Sequence, residues 1–566
     1  MLLPRLSLIL LLFSEAVAAG QSSGQVPPHS FTESLVVSLP GFGRFQGTII
    51  VKDLLNATTL AKPVDAWLGV EYSTQPVGEG RFRPVARPHA FAGVKHATSY
   101  GPACHQNAYG SLVQSEACLT LNLFRPSGIP RAKKLPVFVY LHGGSFVWGD
   151  GRSFDGPAFV AKSAEPLIVV TAQYRLGALG GIPSKLMEEE GLLNLGLRDQ
   201  RQMLEFLQEY VDNFGGDNEQ VTLGGLSAGG HSVGFHLFHN YGADQGKPLF
   251  SKAILISGSP TARAFPGTEY PLYQRQFQDF VDYVGCPAGP NSAVLTCLRR
   301  ASSKKIQFVS SAIYAASDHN ITWPWQPVSP GPLLEKRGSV SGNDGTFFQI
   351  PMLISSVTDE GSRFVPLDLH TNADFLAFWR ALTPGLGFND LADLQRLYLD
   401  PNTYGDLSPY KPQAGRFVST QFQRVSAAYG DYSYTCPVQD TALRLAETGS
   451  LVYKAHFNTP DNSPTYLGIP HASDERYYNG LTGTRYPAVA EIYSSYFASF
   501  IISGDPNTHA HADAPRWDVY NQTMGRQLVV STPHGGGVRM EPESVGIRAE
   551  QCRWWRDKDR SLRLNK

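Results

Sequence analysis

Cysteine is scarce in this chain, with 6 in 566 residues, and no two stand as C-x-x-C. That leaves no zinc-ribbon or dithiol redox motif, and no metal site is expected. An excess of charge of one sign is lacking too: Lys+Arg 48 against Asp+Glu 49 gives a net charge of −1, with no block of five or more like charges. Nucleic acid is therefore not an expected partner. No apolar run approaches the roughly 20 residues of a bilayer span, so no stable membrane anchor is expected either. Repeats of fixed period and low-complexity linkers are also missing. What remains, 42% hydrophobic and 17% charged, is a globular composition with ample material for a large core.

The N-terminus carries Arg5, the apolar run Leu6 to Phe13, and then the small residues Ala16-Val17-Ala18-Ala19-Gly20. This reads as a signal peptide over residues 1–19 with one domain, 20–566, behind it, and implies a secreted, extracellular protein. In that oxidising setting six cysteines form bridges. Cys104/Cys118 and Cys286/Cys297 are close in sequence, which leaves Cys436/Cys552 for the third. Asn56-Ala-Thr, Asn320-Ile-Thr and Asn521-Gln-Thr are glycosylation acceptors.

Along the chain, Leu135 to Leu141, Leu167 to Ala172, Val221 to Gly224, Lys252 to Ile256 and Val452 to Phe457 are short apolar runs of the kind buried on both faces of a sheet. Between the second and third lies Leu197 to Phe214, where Leu197, Met203, Leu204, Leu207 and Val211 recur at helical spacing. Strands alternating with helices predict an α/β fold with a mostly parallel sheet.

The sharpest chemical signal is Gly225-Leu226-Ser227-Ala228-Gly229, directly after the strand Val221 to Gly224. Chance alone gives roughly 0.4 G-x-S-x-G patterns in such a chain, so the preceding strand is what turns the pattern into a nucleophile elbow. An activated serine needs N–H donors where negative charge develops on an attacked carbonyl. Leu141-His142-Gly143-Gly144-Ser145-Phe146, at the end of another predicted strand, supplies such a turn, and Gly144, Ser145 and Ala228 are the expected donors. In an α/β-hydrolase the order is serine, then acid, then histidine. Met352 to Ser356 leads into Asp359-Glu360-Gly361, and Gly468-Ile469-Pro470-His471 follows the strand Val452 to Phe457. On residue chemistry alone Asp359 and Glu360 are equivalent, and any of the 15 histidines qualifies.

Taken in order, Trp67-Leu68-Gly69-Val70, Arg81-Phe82-Arg83-Pro84, Ser115-Glu116-Ala117-Cys118-Leu119, the His142-Gly143-Gly144 turn, Asp199-Gln200-Arg201, Asn213-Phe214-Gly215-Gly216-Asp217, the Ser227 elbow, Asp359-Glu360-Gly361 and His471-Ala472-Ser473-Asp474 resemble the type-B carboxylesterases. That family includes cholinesterases and some fungal lipases, and the likeness, strongest to secreted fungal members, covers nearly all of the expected mature chain. It implies an α/β-hydrolase fold with large insertions and a serine carboxylic-ester hydrolase that needs no cofactor. It implies Ser227 as nucleophile, His471 as base and acid, and Glu360 rather than Asp359 as the residue that orients His471. The same resemblance supports the three bridges and suggests an ion pair between Arg81 and Glu116.

Departures from the family pattern bear on the substrate. Cholinesterases carry a glutamate before the nucleophile and a tryptophan in the first disulfide loop; here Leu226 fills the first place, and Tyr109 lies near the second. That loop encloses 13 mostly small and polar residues, where lipases of the family carry a long apolar lid. Neutral esters that are soluble or of modest size are the expected substrates. Phe146, Trp148, Trp323 and Trp325 are candidates for an aromatic acyl pocket, with core packing the competing role. Transfer of the acyl group to an alcohol or amine by the same residues, and a binding protein on a hydrolase scaffold, are the alternatives.

Overall fold

The computed structural model describes residues 35–106, 112–238, 247–412, 418–481, 483–521, 525–543 and 545–566. The expected signal peptide and Tyr109 lie outside the described residues. Eleven strands build the main sheet: β1 (Thr48–Lys52), β2 (Thr59–Glu71), β3 (Thr120–Pro126), β4 (Leu135–Leu141), β5 (Ile168–Ala172), β6 (Gly216–Leu226), β7 (Lys252–Ile256), β8 (Met352–Val357), β9 (Val452–Asn458), β10 (Arg526–Ser531) and β11 (Val538–Pro542). Their order across the sheet is β1-β2-β3-β5-β4-β6-β7-β8-β9-β10-β11. From β5 to β10 every neighbouring pair is parallel, and the pairs at both edges are antiparallel.

The apolar runs form strands because a period of two supplies both faces at once. On β4, Val137, Val139 and Leu141 enter one core while Phe138 and Tyr140 enter the other. Val221 and Leu223 likewise face the first core, and Leu226 the second. Helices α2 (Leu195–Tyr210), α3 (Ala228–Leu237) and α4 (Cys436–Glu447) close the first face. The second is closed by α1 (Gly156–Lys162) and α5 (Pro487–Ser503). The third expected strand begins five residues earlier than its apolar run, because Asp217 to Gln220 form a polar, partly exposed start ahead of a register irregularity. Helix α2 ends at Tyr210, and a 3-10 turn, Val211–Phe214, completes the predicted helical span. All the parallel strands run the same way, so the loops after β4, β6, β7, β8 and β9 gather at one edge, where open α/β sheets place their ligands.

Candidate active site

Ser227 stands between β6 and α3 with φ 58° and ψ −122°, a conformation that side chains rarely adopt. Its amide donates to the Ile256 carbonyl of β7 (2.9 Å), and its carbonyl accepts from the His231 amide (2.8 Å). The turn closes only because its flanks lack side chains. A Cβ on Gly229 would lie 2.0 Å from the Leu141 carbonyl oxygen, and one on Gly225 would lie 2.5 Å from the Gly229 backbone. Across from it, Gly144, Ser145 and Phe146 all have positive φ, at 114°, 54° and 64°. A Cβ on Gly144 would overlap the Trp148 carbonyl. The amides of Gly144, Ser145 and Ala228 find no acceptor among the described residues, Ala228 because it opens α3. His142 braces this turn: its buried ring stacks on Tyr174 at 4.3 Å, and the Tyr174 hydroxyl donates to its carbonyl. Burial holds the His142 imidazole below its ordinary pKa, so the brace stays neutral.

His471 lies in the loop after β9, and its Nδ1 is 2.6 Å from Glu360 Oε2. The other oxygen of Glu360 accepts from the Ser257 hydroxyl (2.6 Å) and the Val357 amide (2.9 Å), so the buried carboxylate is held on both sides. Asp359 faces elsewhere. It accepts from the Ile469 amide and donates its own amide to the Ile469 carbonyl, both at 2.9 Å, and so ties down the loop that carries His471. The His471 ring packs against Tyr434 (4.4 Å) and Phe364 (5.1 Å), while its Nε2 is buried with no partner among the described residues. Tyr434 is presented by a π-helical turn, Asp431–Thr435, between the helix Phe422–Gly430 and α4. Such turns recur at functional sites. Ser257 carries no readable sequence signal, since a serine after a strand is common; the turn is bracketed by Gly430 and Pro437, a break in the helical pattern from Phe422 to Glu447 that apolar periodicity passes over.

A model of the carboxylesterase family matches residues 33–555. The chain belongs to the carboxylesterase family. "Secreted lipase 4" of Gibberella zeae is 45% identical over 545 residues, which covers 95% of this chain and 96% of that one. "Secreted lipase 1" of Botryotinia fuckeliana is 30% identical over 82% and 85% of the two chains. The crystal structure of Aspergillus niger EstA superimposes with a TM-score of 0.81 at 28% identity, covering 94% of this chain and 99% of that one. This carboxylesterase has the α/β-hydrolase fold and is a secreted carboxylic-ester hydrolase.

The carboxylesterase contains the disulfides Cys104–Cys118, Cys286–Cys297 and Cys436–Cys552, with no free cysteine. Arg81 and Glu116 form a buried two-bond pair (2.5 and 2.7 Å) rather than a surface one. Arg81 also donates to the carbonyls of Leu298, Arg299 and Ala301, joining the segments around the first two bridges. Asn56 and Asn320 are exposed and Asn521 is half-buried. Of the aromatic candidates, Phe146 stacks on Phe235 (6.5 Å) beside the turn, Trp148 is 43% exposed, and Trp323 packs against Phe364 (5.7 Å), the neighbour of His471. Trp325 is separate: it is buried against Phe280 and bonded to the Ser310 carbonyl, a core position away from His471. Leu226 is buried in the second core.

Proposed function

We propose that Ser227 attacks the ester carbonyl, that His471 takes its proton through Nε2, and that Glu360 holds the imidazole by Nδ1 and stabilises the imidazolium that forms. The amides of Gly144, Ser145 and Ala228 receive the developing oxyanion. His471 returns the proton to the leaving alcohol and then activates water to release the acid. The observation that carries this reading is the 2.6 Å contact between His471 Nδ1 and Glu360, with Nε2 buried and without a partner among the described residues, on the same sheet edge as a serine held on a strained turn. Residues 20–566 act as one catalytic domain in this scheme.

The preferred substrates are neutral esters that are soluble or of modest size. Leu226 brings no negative charge next to the nucleophile, and the Cys104–Cys118 loop is short. Triglyceride hydrolysis is the second reading, favoured by relatives that are named lipases. The test is the initial rate on methyl esters of increasing acyl length, on acetylthiocholine and on emulsified triolein, with Ser227→Ala as control. Ser227→Ala and His471→Ala should each lower turnover by roughly 10³ to 10⁶. Rates that saturate below the solubility limit support the first reading; a jump when the emulsion forms supports the second. Hydrolysis that survives Ser227→Ala overturns the assignment of the nucleophile.

A further inference from the structure

Arg263 follows β7 by seven residues and is 7% exposed, yet no carboxylate pairs with it among the described residues. A guanidinium has five N–H donors and does not give up its charge in proteins. Arg263 makes one well-formed hydrogen bond, from Nη2 to Gln326 Oε1 (3.1 Å), and its buried Nε has no acceptor. Its plane lies over Trp323 at 4.8 Å. The acid nearest that ring, Asp318, is exposed and accepts the indole N–H instead. Around the guanidinium are the phenols of Tyr314, Tyr429, Tyr432 and Tyr434, all held in the neutral form by burial. A buried cation without an anion carries a desolvation penalty that π faces and an amide only partly offset.

Two features relate this charge to the ester site. Gln326 accepts from Arg263 and donates from its own Nε2 to the Ser145 carbonyl (3.1 Å), so one glutamine amide spans from the guanidinium to the proposed oxyanion turn. Trp323, under the guanidinium, touches Phe364, which touches His471. Arg263, Trp323 and Gln326 line a cavity of about 70 Å³ that has no Asp or Glu in its wall. The second arginine of that wall, Arg563, is already paired with Asp390. The volume holds a few water-sized groups, enough for a carboxylate and a short piece of chain.

We propose that Arg263 is the anchor of a carboxylate-binding subsite on the acyl side of the ester site, and that it selects esters whose acyl chain ends in a second, ionised carboxyl group, that is, half esters of short dicarboxylic acids. The proposal rests on the ester-hydrolase reading above. The carboxylate enters the cavity that Arg263 lines and supplies the missing counter-charge through a charge-assisted bond from the guanidinium. Gln326, tied to Ser145, fixes the guanidinium relative to the turn.

Monomethyl succinate, glutarate, adipate and suberate are compared with methyl butyrate, pentanoate, hexanoate and octanoate by pH-stat titration. For the best-fitting half ester, the ratio of its kcat/KM to that of the neutral ester should fall at least about tenfold in Arg263→Gln and recover in part in Arg263→Lys, as expected for a charge-assisted bond. A ratio that Arg263→Gln leaves unchanged overturns the proposal. Inhibition by free hexanoate that Arg263→Gln abolishes, with no half-ester preference, keeps the carboxylate subsite but assigns it to the acid product. If Arg263→Gln does not fold, Ser227→Ala protein with Arg263 intact decides by calorimetry: monomethyl adipate should bind at least about tenfold more tightly than dimethyl adipate, and equal affinities overturn the subsite. Failure of the wild-type protein to hydrolyse any neutral methyl ester would instead sink the ester-hydrolase reading itself.

Discussion

A Cβ placed on Gly229 would meet the Leu141 carbonyl oxygen at 2.0 Å, a clash with backbone that no rotamer relieves. Gly229→Ala should therefore lower the melting temperature by several degrees and abolish hydrolysis together, since the same turn aims Ser227 and the Ala228 amide. A variant with wild-type melting and activity would show that the turn relaxes elsewhere. The two adjacent acids separate at this scale as well. Glu360→Gln loses the charge that faces His471 Nδ1, and turnover should drop by roughly 10² or more, whereas Asp359→Asn keeps an acceptor for the Ile469 amide and should cost little. Greater damage from Asp359→Asn would reverse the assignment. Residue chemistry could not separate these acids because both follow the same buried strand; what separates them is direction, one side chain turned to His471 and the other to its loop.

Among the elements, the π turn Asp431–Thr435 brings a packed helix against His471. Asp431 accepts from the Tyr398 hydroxyl (2.8 Å) and Arg548 Nη1 (2.6 Å), and the turn points Tyr434 at the His471 ring. Directly after it, Cys436 is bridged to Cys552, which ties α4 to the helix Val545–Trp555 across 116 residues of sequence. In the chain-entropy account a loop of that size is worth about 4 to 5 kcal/mol. Replacing both cysteines by serine should lower the melting temperature by several degrees and reduce turnover through Tyr434. An unchanged melt would mean that noncovalent packing alone holds the element. Denatured, unreduced protein should show no thiol to a maleimide label. The strands β4, β7 and β9 were legible as elements because burial on both faces selects an unbroken apolar run. The start of β6 and the π turn were not, since a polar strand entry and a one-residue widening of a helix leave the periodicity nearly unchanged.

Over the whole molecule, buried groups titrate in opposite senses. Burial, then Arg263, keeps His231 well below the usual histidine range, and burial, then Lys454, pushes His456 down to about 4. Asp155, Asp431 and Asp474 are raised, chiefly by burial. A histidine with a depressed folded-state pKa is protonated first in the unfolded chain, so it removes stability as pH falls from about 6.5 toward 4; a carboxyl with a raised pKa does the reverse. The net slope is a sum, and one group is isolated by comparison. His456→Gln should lose less stability than wild type between pH 6.5 and 4.5 in urea melts, while the two run parallel above pH 7. Parallel curves throughout would show that His456 takes up its proton in the folded protein.

By itself the sequence determined the parallel sheet, the serine elbow, the glycine turn and the pool of cysteines, because each is written in local terms: apolar period, glycine where no Cβ fits, and residues that oxidise in a secreted chain. The resemblance of the ordered motifs then pointed to His471 and Glu360. Only the tertiary structure decided which acid faces the histidine, that Tyr434 arrives on a π turn, that Trp325 is core, and that Arg263 is buried without a counter-ion next to Gln326 and Ser145. Those facts depend on which loops the parallel strands bring to one edge, and contacts between residues a hundred positions apart leave no mark on either segment alone.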